Sequence, residues 1–185
     1  WVLIKNINLF DWNINFIGID HINSKIQSDN SQRFNSYGMT GCLNFHNVYF
    51  KETSLKSLNG NCEDAINIVN SKGNLNFIDV INAKADAVDI DFSQIEIAKL
   101  KVINAGNDCF DVSGGDYNLS NVEINNCGDK GISVGEKSIL FAGIFNLDNS
   151  NIGVSSKDSS ITIIDEANLI NTEYCFEAAK KKTRV

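Results

Sequence analysis

One short string, repeated at a fixed interval, constrains this chain more than anything else in it. Asp64-Ala65-Ile66-Asn67-Ile68 returns as Asp86-Ala87-Val88-Asp89-Ile90 and as Asp108-Cys109-Phe110-Asp111-Val112, each 22 residues on. The same interval then reaches Lys130-Gly131-Ile132-Ser133-Val134, Ile152-Gly153-Val154-Ser155-Ser156 and Tyr174-Cys175-Phe176-Glu177-Ala178. Two further columns keep the spacing: Leu75, Ile97, Leu119, Phe141, Ile163, and Ile95, Tyr117, Ile139, Ile161. A period of this size marks a repeat architecture, in which each unit hides its apolar face only against its neighbours.

Within each unit apolar and polar residues alternate over three to five positions, and turn-rich stretches such as Asn70-Ser71-Lys72-Gly73-Asn74 intervene. Alternation is the signal of strands, and units of short strands without a helix must stack around one shared core. The expectation is an all-β, right-handed parallel β-helix, a solenoid with about 22 residues per coil. Ile66, Val88, Phe110, Ile132, Val154 and Phe176 become ladders inside it, and Asn67, Asp89, Asp111, Ser133, Ser155 and Glu177 point outward. Asn82, Asn104 and Asn126 form a second polar column, read as a structural amide ladder in a turn or the interior. Regular coils span 64–178. Residues 1–63 are less regular, with Gly41-Cys42-Leu43-Asn44-Phe45 at a spacing of 23, Asp20-His21-Ile22-Asn23 one coil earlier, and a polar loop inserted at 27–38. The whole chain, 1–185, reads as one domain of seven or eight coils whose ends need caps from missing sequence or from a partner.

Composition narrows the partners. A formal charge of -7 argues against a grip on nucleic-acid phosphates, and no apolar run is long enough to span a membrane. Proline is absent and glycine numbers 13, in keeping with many turns and no helical framework. Five cysteines, Cys42, Cys62, Cys109, Cys127 and Cys175, leave at least one thiol over, lack zinc spacing, and are expected to pack as small apolar residues. The chain begins at Trp1 without a basic-then-apolar leader, as a processed product or excised fragment would. Its basic end, Lys180 to Arg184, reads as a solvated tail.

The Gly/Ala-Ile-x-Val cores, the 22-residue turn and the asparagine ladder resemble the right-handed parallel β-helix of the pectate-lyase-like superfamily. More narrowly, the strings Gly106 to Gly114, Gly128 to Glu136 and Gly153 to Asp158 are similar to those of uncharacterised exported bacterial β-helix proteins. The resemblance implies a secreted or cell-surface protein facing acidic polysaccharide, either as an enzyme or as a non-catalytic module. The signatures of polygalacturonases and mannuronan epimerases are missing. Only Arg33 and Arg184 are available where pectate and alginate lyases often rely on arginine.

A charged stripe carries the site expectation. Asp64, Asp86 and Asp108 are succeeded in their column by Lys130, and Asp89, Asp111 and Asp91 run beside them. Crowded carboxylates raise one another's pKa or recruit a cation, and calcium suits an oxygen set formed by Asp86, Asp89, Asp108 and Asp111. Such an ion could bridge to a uronate, with Lys130 or Lys157 taking a proton and Asp111 beside them, while Glu136, Asp158 and Arg33 hold the sugar. The competing reading makes these residues turn formers and a soluble exterior. His21 and His46 read as surface or turn residues, Ser113-Gly114-Gly115 lacks the helix and lysine of a phosphate loop, and Trp1, Trp12 and Tyr37 read as core or cap packing rather than a sugar platform. The favoured function is an exported module that binds or displays toward acidic polysaccharide without catalysis; the alternative is a calcium-assisted lyase or epimerase-like enzyme.

Overall fold

The computed structural model describes residues 1–19 and 33–180, so the 20–23 string, the first half of the 27–38 loop and the basic tail beyond Lys180 lie outside the described residues. Twelve strands follow in order: β1 (Val2–Phe10), β2 (Asn13–Ile17), β3 (Gly41–Gly60), β4 (Asp64–Val69), β5 (Lys72–Ala83) and β6 (Asp86–Asp91). They continue as β7 (Gln94–Ala105), β8 (Phe110–Ser113), β9 (Asp116–Cys127), β10 (Lys130–Gly135), β11 (Ile139–Lys157) and β12 (Ile161–Ala179). Every pairing is parallel, and the described residues contain no helix. Short strands β4, β6, β8 and β10 stack on one another, as do the twelve-residue strands β5, β7 and β9, while β3, β11 and β12 contribute to both stacks. The result is a parallel β-solenoid with about 22 residues per turn.

The repeated apolar column is the core of this coil. Ile66 pairs with Val88, Val88 with Phe110, Phe110 with Ile132 and Ile132 with Val154, all sealed from solvent. Each such side chain contributes ~1.5–3 kcal/mol over its exposed state. Phe176 continues the column on β12 but is 63% exposed, because no described strand covers it. The amide ladder runs along the outer edge of a corner: Asn82 Nδ2 donates to Asn59 Oδ1 at 3.0 Å, Asn104 to Asn82 at 3.0 Å, Asn126 to Asn104 at 2.9 Å and Asn149 to Asn126 at 2.7 Å. All five have φ between 58° and 68°, and asparagine is among the few residues that tolerate this left-handed corner.

Three expectations are corrected. First, the two side columns do not hold their interval throughout, since Asp116 pairs with Ile139, 23 residues on. The turn 136–138 has one residue more than Gly114-Gly115, which puts Tyr117 beneath Leu140 and Leu119 beneath Ala142, and leaves Ile139 and Phe141 on the outer face. The stretch 149–151 has one residue fewer than 126–129, which restores the spacing at Lys130 and Ile152. Second, the column read as outward is largely shielded: Asn67, Ser133 and Ser155 are buried, Asp89 and Asp111 half-buried, and only Glu177 is exposed. Third, four cysteines are not simple apolar fillers, because Cys42 bonds Cys62 and Cys109 bonds Cys127, leaving Cys175 as an exposed thiol.

Candidate functional site

The predicted charged face lies on the stack of short strands, and two of its aspartates, Asp86 and Asp108, are backbone clamps. Asp86 Oδ1 accepts the Asp108 backbone N–H at 2.9 Å and the Asn107 side-chain amide at 2.6 Å. One coil on, Asp108 Oδ1 accepts the Lys130 backbone N–H at 3.1 Å. Each carboxylate therefore ties its own coil to the next, satisfying an N–H at the turn where the strand ladder starts. The Lys130 ammonium lies 3.3 Å from Asp108 Oδ1 and also bonds Asp129, whose other oxygen takes the Asn151 amide at 3.3 Å.

Burial dominates the titration of this face. It pushes Asp64 up to about 7, with the charges of Asp86, Glu63 and Asp91 adding and a Thr40 hydrogen bond opposing. Burial pushes Asp86 up to about 6 against its two hydrogen bonds. It raises Asp89 to about 9, reinforced by Asp64, Asp91, Asp111 and Asp86, while the Asn67 amide donates to Asp89 Oδ2 at 3.3 Å. Asp108 and Asp111 are raised by burial too, held back by Lys130 and by Lys157 with Ser133 respectively. Burial pulls the Lys130 ammonium down, but hydrogen bonds and charge from Asp129 and Asp108 outweigh it and hold it above its usual value. A lysine so held keeps its proton, the opposite of what abstraction from a sugar requires.

The structure thus gathers Asp64, Asp86, Asp89, Asp108, Asp111, Lys130 and Lys157 on one face. Arg33 reaches its edge, with Nε 2.7 Å from Glu63 Oε1 and within the electrostatic reach of Asp86 and Asp64. Glu136 and Asp158 sit elsewhere, in successive turns past β10 and β11, where Lys137 N donates to the Asp158 carbonyl at 3.2 Å. Lys130 opens β10 and Glu136 follows its end, so the length of the strand, roughly 20 Å, separates them and the two acids do not converge on Lys130. For the proposed calcium set, no group of three or more His, Cys, Asp or Glu among the described residues is placed to hold a metal ion. Oδ1 of Asp86 already accepts a backbone N–H and a side-chain amide, and Oδ1 of Asp108 a backbone N–H and the Lys130 ammonium.

A second surface was not anticipated. A trough of ≈ 680 Å3 crosses the starts of the long strands, parallel to the solenoid axis. Its outward rows step from Tyr49 to Lys72, Gln94, Asp116 and Ile139, and from Asn74 to Glu96, Asn118 and Phe141. Lys51 closes one end, where Tyr49 packs edge-on against Phe10 at 6.1 Å between centroids. Gly73 forms part of the floor: at φ 114° a side chain there would stand 1.9 Å from the Phe50 carbonyl oxygen. A hollow of ≈ 430 Å3 adjoins, sharing Lys72, Gln94 and Asp116 and adding exposed Phe92 together with Glu136. The available signal was the pair of positions outside the core ladder at each strand start, but the inserted residue hid Ile139 and Phe141 among apparent core columns. Comparison of the chain with protein-family models, curated proteins and solved structures finds no match in any of the three, so the chain is assigned to an architecture, the parallel β-solenoid, and to no family.

Proposed function

We propose that this chain is a non-catalytic module that binds polysaccharide carrying acidic groups, and that the glycan lies in the axial trough. The observation that carries this reading is the trough itself: a groove along the stacking direction, with aromatic, amide and charged side chains offered once per coil. Linear glycans suit such a surface because successive sugars meet successive rungs, ~4.8 Å apart. Half-exposed Tyr49 provides a flat face for a pyranose, Gln94 and Asn118 provide amides for hydroxyls, and Lys51 and Lys72 provide cations for a carboxylate. The carboxyl face, occupied with clamping coils, is assigned a structural role. Resemblance to pectate-lyase-like β-helices supports the substrate class, and two disulfides support an exported, oxidising setting.

Titration calorimetry against alginate, pectate, glycosaminoglycans and neutral glucans tests the reading. Saturable binding that is lost in Tyr49→Ala and unchanged in Lys130→Ala is expected. Sustained release of unsaturated product, with or without calcium, would establish the enzyme instead, and binding lost with Lys130 but not Tyr49 would return the site to the carboxyl face.

A further inference from the structure

The trough is polarised along its length, and this inference rests on the glycan reading above. Its first rungs carry two cations, Lys51 and Lys72, beside Tyr49; the next two carry two carboxylates, Glu96 and Asp116; the last carries Ile139 and Phe141. Glu96 lies on the rung next to that of Lys72, two residues further along the strand, and Gln94 separates Lys72 from Asp116 in the same row, so the anionic section begins one rung spacing, ~5 Å, beyond the cationic one. A chain with a carboxylate on every sugar cannot seat one acid at Lys51 and Lys72 without driving another against Glu96 and Asp116. Like charges about 5 Å apart near a protein surface cost roughly tenfold or more in affinity. Neutral sugars avoid this, and their hydroxyls donate to carboxylates, which only accept.

We propose that the trough selects a linear glycan whose acidic sugars are isolated among neutral ones. The single carboxylate docks at Lys51 and Lys72, neutral hydroxyls donate to Glu96 and Asp116, and an apolar sugar face covers Phe141.

Three oligosaccharides of similar length, titrated into the full chain in chelator, test it: a neutral cello-oligosaccharide, an oligogalacturonate with an acid on every unit, and a deacylated gellan fragment with one glucuronate per repeat. The gellan fragment should bind tightest and the oligogalacturonate weakest, with steps of roughly tenfold. Lys51→Ala with Lys72→Ala should bring the gellan fragment down to the neutral level. Glu96→Gln with Asp116→Asn should raise oligogalacturonate binding by roughly tenfold while moving the neutral probe by less than about twofold. Absence of binding by all three removes the glycan reading and this inference with it. Binding with a flat ranking, or a ranking unmoved by Glu96→Gln and Asp116→Asn, overturns the inference alone. Tight oligogalacturonate binding that appears only on adding calcium also overturns it, since the ion would then be bridging the carboxylates.

Discussion

Replacing Asp89 by asparagine should stabilise this protein at neutral and alkaline pH, although it exchanges a hydrogen-bonded carboxyl group on a packed face for an amide. Burial, with Asp64, Asp91, Asp111 and Asp86 around it, raises the Asp89 carboxyl from 3.8 to about 9. The folded protein therefore binds a proton that the unfolded chain gives up between those values. Stability from this group is complete below about pH 4 and is lost as pH rises toward 9, because there the unfolded state binds fewer protons than the folded one. At pH 7 a gap of 3.2 pH units above the unfolded value corresponds to about 4 kcal/mol. Asp89 is only half-buried, and residual contact with water reduces that to about 2–4 kcal/mol. Asparagine has the same shape, keeps an oxygen for the Asn67 amide, and never ionises. Urea midpoints followed by circular dichroism at pH 4, 6 and 8 provide the measurement, with an unchanged slope required for the comparison. Asp89→Asn should match the parent at pH 4 and exceed it at pH 8. An equal deficit at every pH would mean that the group is ionised and solvated in the folded state, and that the crowding argument is wrong.

Phe110→Ala, in the middle of the sealed ladder, should cost about 3–5 kcal/mol, whereas Phe176→Ala at the open end should cost under about 1 kcal/mol; paired denaturation curves check the contrast. Asn104→Ala breaks two ladder hydrogen bonds and forces alanine to φ 62°, so a loss of about 2–3 kcal/mol is expected, with Asn104→Gly recovering roughly half. Removing the Cys109–Cys127 disulfide, which closes a loop of 18 residues, should cost about 3 kcal/mol, visible as a lower melting temperature of a Cys109→Ala/Cys127→Ala variant than of the parent, both in oxidising buffer that keeps Cys42–Cys62 intact.

The fold was legible because burial repeats with the chain's own period: Ile66, Val88, Phe110 and Ile132 face one interior and must each be apolar. The asparagine corner was legible for a similar reason, since a left-handed turn admits few residues. The side columns failed at one place, where the extra residue in turn 136–138 shifted Ile139 and Phe141 outward while the ladder from Ile132 to Val154 kept its spacing. One column cannot report an insertion that a later deletion cancels. The cysteines failed differently. Cys109 and Cys127 are neighbours only across coils, at a Cα separation of 5.6 Å that no spacing of 18 announces. Of the charged face, the meeting of Lys130 with Asp108 followed from the period. The shielding of Asp89 and the backbone contacts of Asp86 did not, because both depend on how neighbouring side chains fold over the sheet.

Charge on a solenoid therefore divides by its relation to the coil. Asp86 and Asp108 recur in register, and each sits one rung below the N–H it accepts, so the repeat itself generates their partner. Such residues fasten the stack, and their raised pKa values follow from the burial that fastening requires. Lys72, Gln94 and Asp116 occupy one register too, but they differ from rung to rung in sign and chemistry, and among these described residues no side-chain bond joins rung to rung as one joins Lys130 to Asp108. A column that changes chemistry without such bonds between its rungs is under a constraint from outside the coil. On the proposed glycan reading, recognition falls at the starts of the long strands, while Asp86, Asp108 and the asparagine corner fasten the stack. It also predicts that Lys72→Asn, matching the neutral side chain of the next rung, will leave the melting temperature within about 1 °C while weakening binding of an acidic glycan. A loss of stability comparable to that expected for Asn104→Ala would show that the trough, too, is part of the fastening.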